Sequence, residues 1–396
     1  MNSMDIKADS ILDPSITFEG SIKKNWTYPK AIFLTGATGL VGAYLLDVLL
    51  TKTDDNIYCL IRGKNSDEAK ERLIKHLKFH TLWQEKFISR IIPIIGDLSK
   101  PLLGLSDKSF HELADTIDVI YHNGALVNFL YPYSALKASN VLGTQEVIRL
   151  ASFSKIKQVH FVSTVAVFFS QTYFAQKIVK ETDIPIYDDS LKGGYKQSKW
   201  VSEKLIMRAK ERGMPTVIYR PVRILGASTT GIVNFHDSLC HLLKACIEIK
   251  KYPTLNTVMT FVPVDYVSQA IVYLSLQEKS LNKEFHLTNP YPISYRDFLK
   301  EVCSLGYEME EIPYTEWFEE LKKAAEKNPK DVTYSFLMLF LRDANNLLLK
   351  QMDFEANNTV EGLSGSSIVC PNTDTKLIST YLNYFQKTGY IPTPLT

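Results

Sequence analysis

No stretch of this chain narrows its possible folds as sharply as TGATGLVG, Thr35 to Gly42. Before it stands AIFLT (31–35), a short apolar strand; after it runs LVGAYLLDVLL, which has helical character. In that setting Gly36, Gly39 and Gly42 let the chain turn tightly, let backbone approach a pyrophosphate, and let helix pack on strand. The helix start then offers N–H groups and a positive dipole end to phosphates. A glycine pattern alone is weak; strand, turn and helix in that order make it strong. Thr35, Gly36, Thr38, Gly39, Leu40, Val41 and Gly42 are the candidate contacts on this side of a bound dinucleotide.

The same rhythm then repeats. NIYCLI (56–61), RIIPIIG (90–96), DVIYHNG (118–124), KQVHFVST (157–164) and TVIYRP (216–221) read as further strands. Helical patterns fall between them: one after strand two with Ser66 as its N-cap, one around 133–152, and one from about 194 to Arg212. Strands that are apolar throughout and alternate with helices indicate a parallel sheet covered on both faces. The expected class is α/β, a Rossmann-type doubly wound parallel sheet, with a smaller, mainly helical C-terminal domain. Residues 1–29 read as an N-terminal arm and 30–226 as the nucleotide-binding domain, to which 261–290 returns. Residues 227–260 and 291–396 form the substrate domain. Within the latter, 313–350 reads as helical, 356–374 as a loop, and SFLMLFL as core of a helical hairpin rather than an acyl channel.

Bulk properties exclude several classes. A net charge of +2 without a long basic run gives no reason to expect nucleic acid. The five cysteines are scattered without a Cys-x-x-Cys, which argues for reduced thiols, a cytoplasmic location and no metal site. No apolar run approaches the roughly 20 residues that cross a bilayer, and no signal peptide opens the chain.

The end of strand two bears on cofactor choice. An acid about 20 residues past the glycines holds the ribose 2′-OH of NAD, whereas a basic residue accommodates the 2′-phosphate of NADP. Here Arg62 stands in LIRGK, with Lys64 beside it and Arg72 on the next helix. A guanidinium binds a phosphate dianion through paired hydrogen bonds, so the expected cofactor is NADPH. GDLS (96–99) and HNGA (122–125) also fall at carboxyl ends of strands, where such sheets bind ligands. Asp97 is a candidate for the adenine, and Gly124 and Ala125 for the nicotinamide ribose. Leu98, Asn123 and Pro221 complete the candidate contacts. His122 reads as a core histidine and stays outside the chemistry.

Three Tyr-xxx-Lys pairs occur: Tyr133/Lys137, Tyr173/Lys177 and Tyr195/Lys199. On a helix this spacing places both side chains on one face. Only Tyr195 opens a helix after a strand ending in Ser163–Thr164, at the cofactor edge. Tyr133 precedes that strand, and Tyr173 lies in the connecting loop without a helical pattern. A cation at Lys199 is expected to favour the Tyr195 phenolate and bring the phenol nearer to neutral pH.

Taken in order, TGATGLVG, GDLS, HNGA, VST and YKQSK resemble the extended short-chain dehydrogenase/reductase superfamily. ADSILDP, CLIRGKNSDEAKERL, YHNGALVNFLYPYSALKASNVLGTQEVIRLA and DTKLISTYLNYFQKTGYIP resemble more closely the thioester reductase domain that ends many nonribosomal peptide and polyketide synthases. Carboxylic acid reductases are near relatives. The resemblance implies Thr164, Tyr195 and Lys199 as the catalytic set, Arg62 on the NADP 2′-phosphate, Lys199 on the nicotinamide ribose and Asn140 as active-site support, with Asn140, Tyr195 and Lys199 also among the cofactor contacts. One departure is Val222, where the family usually has glycine after RP. The implied reaction is NADPH-dependent reductive release of an acyl or peptidyl thioester, held on the phosphopantetheine arm of a carrier protein, to an aldehyde or alcohol. The implied context is a monomer or a terminal domain of a larger synthase. The N-terminal arm is an expected carrier contact. The alternatives are a fatty-acyl-CoA reductase, a nucleotide-sugar epimerase or dehydratase, and a dinucleotide-sensing regulator without turnover. The basic Arg62 speaks against the epimerase, and the Tyr195/Lys199 pair against the regulator.

Overall fold

The computed structural model describes residues 3–20, 29–176, 178–344 and 352–394. Its centre is a seven-stranded sheet of β1 (Ala31–Thr35), β2 (Asn56–Ile61), β3 (Ile91–Ile95), β4 (Val119–His122), β5 (Gln158–Val162), β6 (Thr216–Pro221) and β7 (Glu284–Leu287). The spatial order is β7-β6-β5-β4-β1-β2-β3, and every neighbouring pair is parallel. Both faces are covered, so β1, β4, β5 and β6 are buried along their whole length, which is why they read as unbroken apolar runs. Strand β3 lies at the sheet edge and carries Pro93; there a missing N–H need not break the ladder. The order reverses between β1 and β4, and a sheet of this kind binds ligands in the crevice outside the carboxyl ends at that point.

The chain divides into two compact units. The first comprises residues 1–222, 267–287 and 354–368; the second comprises 223–266, 288–353 and 369–396. Residues 354–368, expected with the C-terminal part, thus belong to the unit that holds the sheet. Their stretch is also not all loop, because Asn357–Leu363 is helical.

In the first unit, helices α1 (Ser3–Asp9), α2 (Leu40–Lys52), α3 (Ser66–Phe79), α4 (Asp107–Thr116), α5 (Tyr133–Lys137), α6 (Gly143–Ser152), α7 (Gln171–Gln176) and α8 (Gly194–Glu211) flank or edge the sheet. The cap of α3 is Asn65 rather than Ser66: its side chain accepts from the Glu68 N–H at 2.9 Å. The helix expected around 133–152 is continuous but changes pitch, with a π turn over Ala138–Leu142 between α5 and α6. Such turns recur at functional sites.

The N-terminal segment is not a loose arm. Ile6, Leu12 and Ile16 are buried. Asp9 accepts from Tyr133 Oη and Lys137 Nζ, both at 2.7 Å, and Asp13 pairs with Arg149 at 2.8 Å. Arg212 donates to the carbonyls of Leu12, Asp13 and Ile16. Tyr133/Lys137 is therefore a clasp for this segment. The Tyr173 pair also changes character: Tyr173 lies on the short helix α7, contrary to the loop expected. Its phenol donates to the Ile184 carbonyl at 2.6 Å and accepts from the Ile186 N–H at 3.0 Å. Lys177 lies outside the described residues.

In the second unit the helices Ser238–Ile249, Tyr295–Ser304, Tyr314–Lys327, Val332–Ala344 and Thr375–Lys387 surround one apolar core. Leu337 and Leu341 of SFLMLFL sit in that core, while Leu339 is 52% exposed, so the segment is one buried stripe of an amphipathic helix. The end of 313–350 lies outside the described residues.

Candidate active site at the carboxyl edge of the sheet

The glycine-rich turn is built by close backbone approach. Gly36 has φ +78°, and a Cβ added there would lie 2.7 Å from the Gly124 Cα. A Cβ on Gly42 would lie 1.9 Å from the Gly36 carbonyl oxygen, so helix α2 can start against the turn only with glycine there. Gly39 caps α2 in an extended conformation with no side chain over the helix start and no acid in the first turn. The arrangement leaves a cradle at a positive helix end, which fits a pyrophosphate. Thr38 lies in this turn and Leu40 and Val41 open α2, and the Asn123 amide lies 3.0 Å from where a Gly36 Cβ would stand.

Arg62 and Arg72 meet at the end of β2. Arg72 Nη1 donates to the Arg62 carbonyl at 3.0 Å, and both side chains are exposed, as is Lys64. Asp97 is their neighbour. Burial pushes its carboxyl up, but bonds from Ser99 N–H and Oγ, both 2.8 Å, and the charges of Arg62 and Lys100 outweigh that and hold it below the usual range. Leu98 abuts two glycines: its Cδ1 lies 2.6 Å from a Cβ built on Gly124 and its carbonyl 2.6 Å from one on Gly143. Ala125 follows Gly124 at half-buried depth. Pro221 ends β6, buried, and the following Val222 donates its N–H to the Leu287 carbonyl at 3.1 Å.

The second side of the site comes from β5 and α8. Thr164 follows β5 and is half-buried; its Oγ1 accepts from the Ala166 N–H at 3.2 Å, capping a short 3-10 turn. Helix α8 begins at Gly194, whose Cβ would lie 2.4 Å from both the Tyr131 carbonyl oxygen and the Tyr133 nitrogen. The backbone of 131–133 therefore touches the start of α8 directly, and Tyr195 follows at once. Tyr195 is half-buried, with the Phe129 ring edge-on at 5.4 Å.

Lys199, one turn on, is buried. Its ammonium donates to the Val162 carbonyl at 2.9 Å and lies 4.2 Å from the centre of the Phe161 ring. The lysine is thus fixed to the last residue of β5, two residues before Thr164. Burial pulls Lys199 down to about 7, with Glu203 opposing. Burial also pushes Tyr195 up to about 12, which corrects the expected direction. The phenol is accordingly protonated throughout the neutral range, a hydrogen-bond donor rather than a phenolate.

Asn140, implied by the resemblance, stands in the π turn. It clamps Leu126 by accepting from its N–H at 2.7 Å and donating to its carbonyl at 3.1 Å. Its other amide hydrogen goes to Ser198 Oγ at 2.9 Å. Ser198 is the first of three contributors that no motif singles out; the others are Glu203 and Arg220. Glu203, a further turn along α8, accepts from Ser163 Oγ and pairs with Arg220 at 2.8 Å, both charged groups being 0% exposed. Arg220 also donates to the Glu181 carbonyl at 2.8 Å and stacks on Phe168 at 4.9 Å. A clue to Glu203 existed, since 195, 199 and 203 share one helical face; nothing in the spacing pointed to Arg220. Among the described residues no cluster of His, Cys, Asp and Glu suits a metal ion, and no helix is long and apolar enough to cross a membrane.

Comparison with known proteins agrees with this fold. Residues 34–271 match the NAD-binding family described as Male sterility protein. The chain is 41% identical over 96% of its length to a linear gramicidin synthase polypeptide of Brevibacillus parabrevis, covering 8% of that protein. It is 32% identical over 92% of its length to L-2-aminoadipate reductase of Saccharomyces cerevisiae, covering 28%. The chain therefore spans well under a third of these curated relatives. Its fold matches the terminal R domain of the myxalamid PKS-NRPS biosynthetic pathway with TM-score 0.94, at 40% identity and 99% coverage of both chains. The reductase domain of a nonribosomal peptide synthetase from Mycobacterium tuberculosis shares the fold at TM-score 0.78 and 23% identity, covering 99% of this chain and 100% of that one. With the glycine turn, the parallel sheet and these matches together, the chain belongs to the NAD-binding Male sterility protein family of extended short-chain dehydrogenases/reductases, alongside the terminal reductase domains of nonribosomal peptide synthetases.

Proposed function

We propose that this chain catalyses NADPH-dependent reductive release of an acyl or peptidyl group carried as a thioester on the phosphopantetheine arm of a carrier protein. The observation that carries the reading is the junction of β5 and α8. Lys199 is bonded to the end of β5, which fixes the helix bearing Tyr195 beside the strand end bearing Thr164, at the same edge as the glycine cradle. The names of the relatives, a gramicidin synthase, an aminoadipate reductase and a terminal R domain, support the same class of substrate.

The cradle of Gly36, Gly39 and Gly42 holds the pyrophosphate, and Arg62 with Arg72 holds the 2′-phosphate that distinguishes NADPH from NADH. When bound, that cofactor supplies a hydride for the carbonyl carbon. Thr164 and Tyr195 donate hydrogen bonds to the carbonyl oxygen as negative charge grows on it. Tyr195 then gives its phenolic proton to that oxygen, leaving a hemithioacetal. The C–S bond breaks, the sulfur departs with the hydroxyl proton as a thiol, and the aldehyde remains. Lys199, one helical turn along α8 from Tyr195, supplies the cation that stabilises the phenolate left on Tyr195 until a proton from water restores it. The surroundings in which this reaction proceeds are those of the cytoplasm, where its free cysteines stay reduced.

The test is NADPH oxidation with an acyl-pantetheine thioester, with the product identified. Tyr195→Phe should lower kcat by roughly 10²–10⁴-fold, the worth of a positioned acid, and leave NADPH affinity unchanged. Tyr173→Phe should keep kcat while losing about 0.5–1.5 kcal/mol of stability, because two partly buried backbone groups lose a partner. Tight NADPH binding without turnover on any thioester would instead support a sensing protein. An active Tyr195→Phe beside an inactive Tyr173→Phe sinks the assignment.

A further inference from the structure

We propose that His122, outside the catalytic set, is the positioning residue that ties the dinucleotide-binding turn to the catalytic helix through a directed chain of hydrogen bonds. The proposal rests on the reading above for what the two ends do, but the chain itself is read from geometry.

The direction follows from groups that have only one role. The Asn140 carbonyl can only accept, so Thr144 Oγ1, 2.6 Å away, spends its proton there. The contact between Thr144 Oγ1 and His122 Nε2 at 2.9 Å must then be donated by the imidazole. In a neutral ring that leaves Nδ1 as an acceptor, and Thr35 Oγ1, 2.8 Å away, donates to it. Thr35 Oγ1 in turn accepts from the Gly124 N–H at 2.9 Å. The sequence of donors is thus Gly124 N–H, Thr35 hydroxyl, His122 ring and Thr144 hydroxyl, ending on the Asn140 carbonyl. The ring is 1% exposed, and burial together with the charge of Lys199 pulls His122 down to about 3, so it stays neutral at every working pH.

Both ends lie on functional elements. Gly124 packs on the Gly36 turn, which forms the cradle. Ser202 Oγ of α8 shares its proton between the Asn140 carbonyl at 2.7 Å and the Ser198 carbonyl at 2.8 Å, the Asn140 amide donates to Ser198 Oγ, and Ser198 Oγ donates to the Tyr195 carbonyl at 2.8 Å. A histidine that merely filled space would need neither hydroxyl. Here each ring nitrogen is matched to a threonine, and the threonines belong to different elements, β1 and α6.

The two halves of the ring can be separated chemically. An asparagine oxygen falls at the level of Nδ1, and a glutamine nitrogen at the level of Nε2. His122→Asn therefore keeps an acceptor for Thr35 and drops the link to Thr144; His122→Gln keeps the donor to Thr144 and drops Thr35. NADPH affinity is measured by fluorescence titration without thioester, and kcat at saturating NADPH and acyl-pantetheine. His122→Asn should retain NADPH affinity within about twofold and lose about tenfold in kcat. His122→Gln should retain kcat within about twofold and bind NADPH about tenfold more weakly. Tenfold is roughly the worth of one buried neutral hydrogen bond. Thr144→Val, which is isosteric and spares the ring, should behave as His122→Asn, and it carries the test if the histidine variants fold poorly. Equal losses in both parameters for both substitutions, or wild-type values in Thr144→Val, overturn the proposal in favour of plain packing. Failure of the reaction assigned above would show separately, as a wild-type protein that binds NADPH and does not turn over; the affinity arm then still discriminates His122→Gln from His122→Asn.

Discussion

Substituting Gly194 tests whether the start of α8 sets the position of Tyr195. A Cβ at 194 would meet the Tyr131 carbonyl oxygen and the Tyr133 nitrogen at 2.4 Å, and the Pro132 carbonyl carbon at 2.5 Å. All three are backbone atoms, so no side chain can swing aside. Ordinary contact begins near 3.4 Å, and the two segments must therefore separate by about 1 Å, a displacement that costs on the order of 100-fold in rate when it falls on a reacting group. The overpacking itself should cost about 1–3 kcal/mol. Gly194→Ala is thus expected to lower kcat about 100-fold on an acyl-pantetheine substrate, to lower Tm, and to leave NADPH affinity nearly unchanged, because the glycine cradle is untouched. The assay is steady-state NADPH oxidation at saturating substrates beside a thermal melt and an NADPH titration. Gly20→Ala, with nothing within 4 Å of the added carbon, is the control and should be silent. A Gly194→Ala protein that melts lower yet keeps kcat within about twofold would show that the contact with 131–133 does not position Tyr195.

Two further outcomes follow from charge. Arg62→Ala should weaken NADPH binding about 10–100-fold while changing NADH binding by less than about threefold, since a charge-assisted bond to a phosphate is worth roughly 1.5–3 kcal/mol; equal losses for both nucleotides would remove Arg62 from the 2′-phosphate. Lys199 is pulled by burial to about 7, below its ordinary 10.5, so between these values the unfolded chain holds more protons and wild-type stability rises with pH. Lys199→Met has no such gain. Urea melts should therefore show the variant faring better relative to wild type at about pH 7 than at about pH 9.5, and a difference independent of pH would contradict the buried, proton-losing lysine.

What the sequence disclosed depended on range. The strands, the glycine turn and the Tyr195 helix are written in local period and spacing, and they stand where those predict. Asn65 and Ser66 are adjacent residues of equal capping ability, so only the Glu68 N–H decides between them. Asn357–Leu363 looks like loop by composition and is helical because Thr359 and Gly362 pack inward beside β7. The Tyr195 phenol shifts opposite to expectation because a neighbouring charge is visible in the spacing, whereas the burial that outweighs it is not. Arg220, Glu203 and Glu181 meet across tens of residues, and no period relates them. The docking of residues 3–20 likewise rests on Arg149 and Arg212, far along the chain.

The position of Glu181 has a consequence for how the chain is made. Its buried carboxylate accepts from the His286 N–H, from the Asn358 N–H, and from the N–H and hydroxyl of Thr359. On a ribosome those partners emerge between 105 and 178 residues after the carboxylate itself, the last of them once most of the second unit has been synthesised. Until then the connection between β5 and α8 holds an acid whose hydrogen-bond partners have not yet been made. The unit that carries the dinucleotide turn is thus completed by residues translated long after that turn. Its closure is a late, long-range event of the kind that slows folding and rewards chaperone holding.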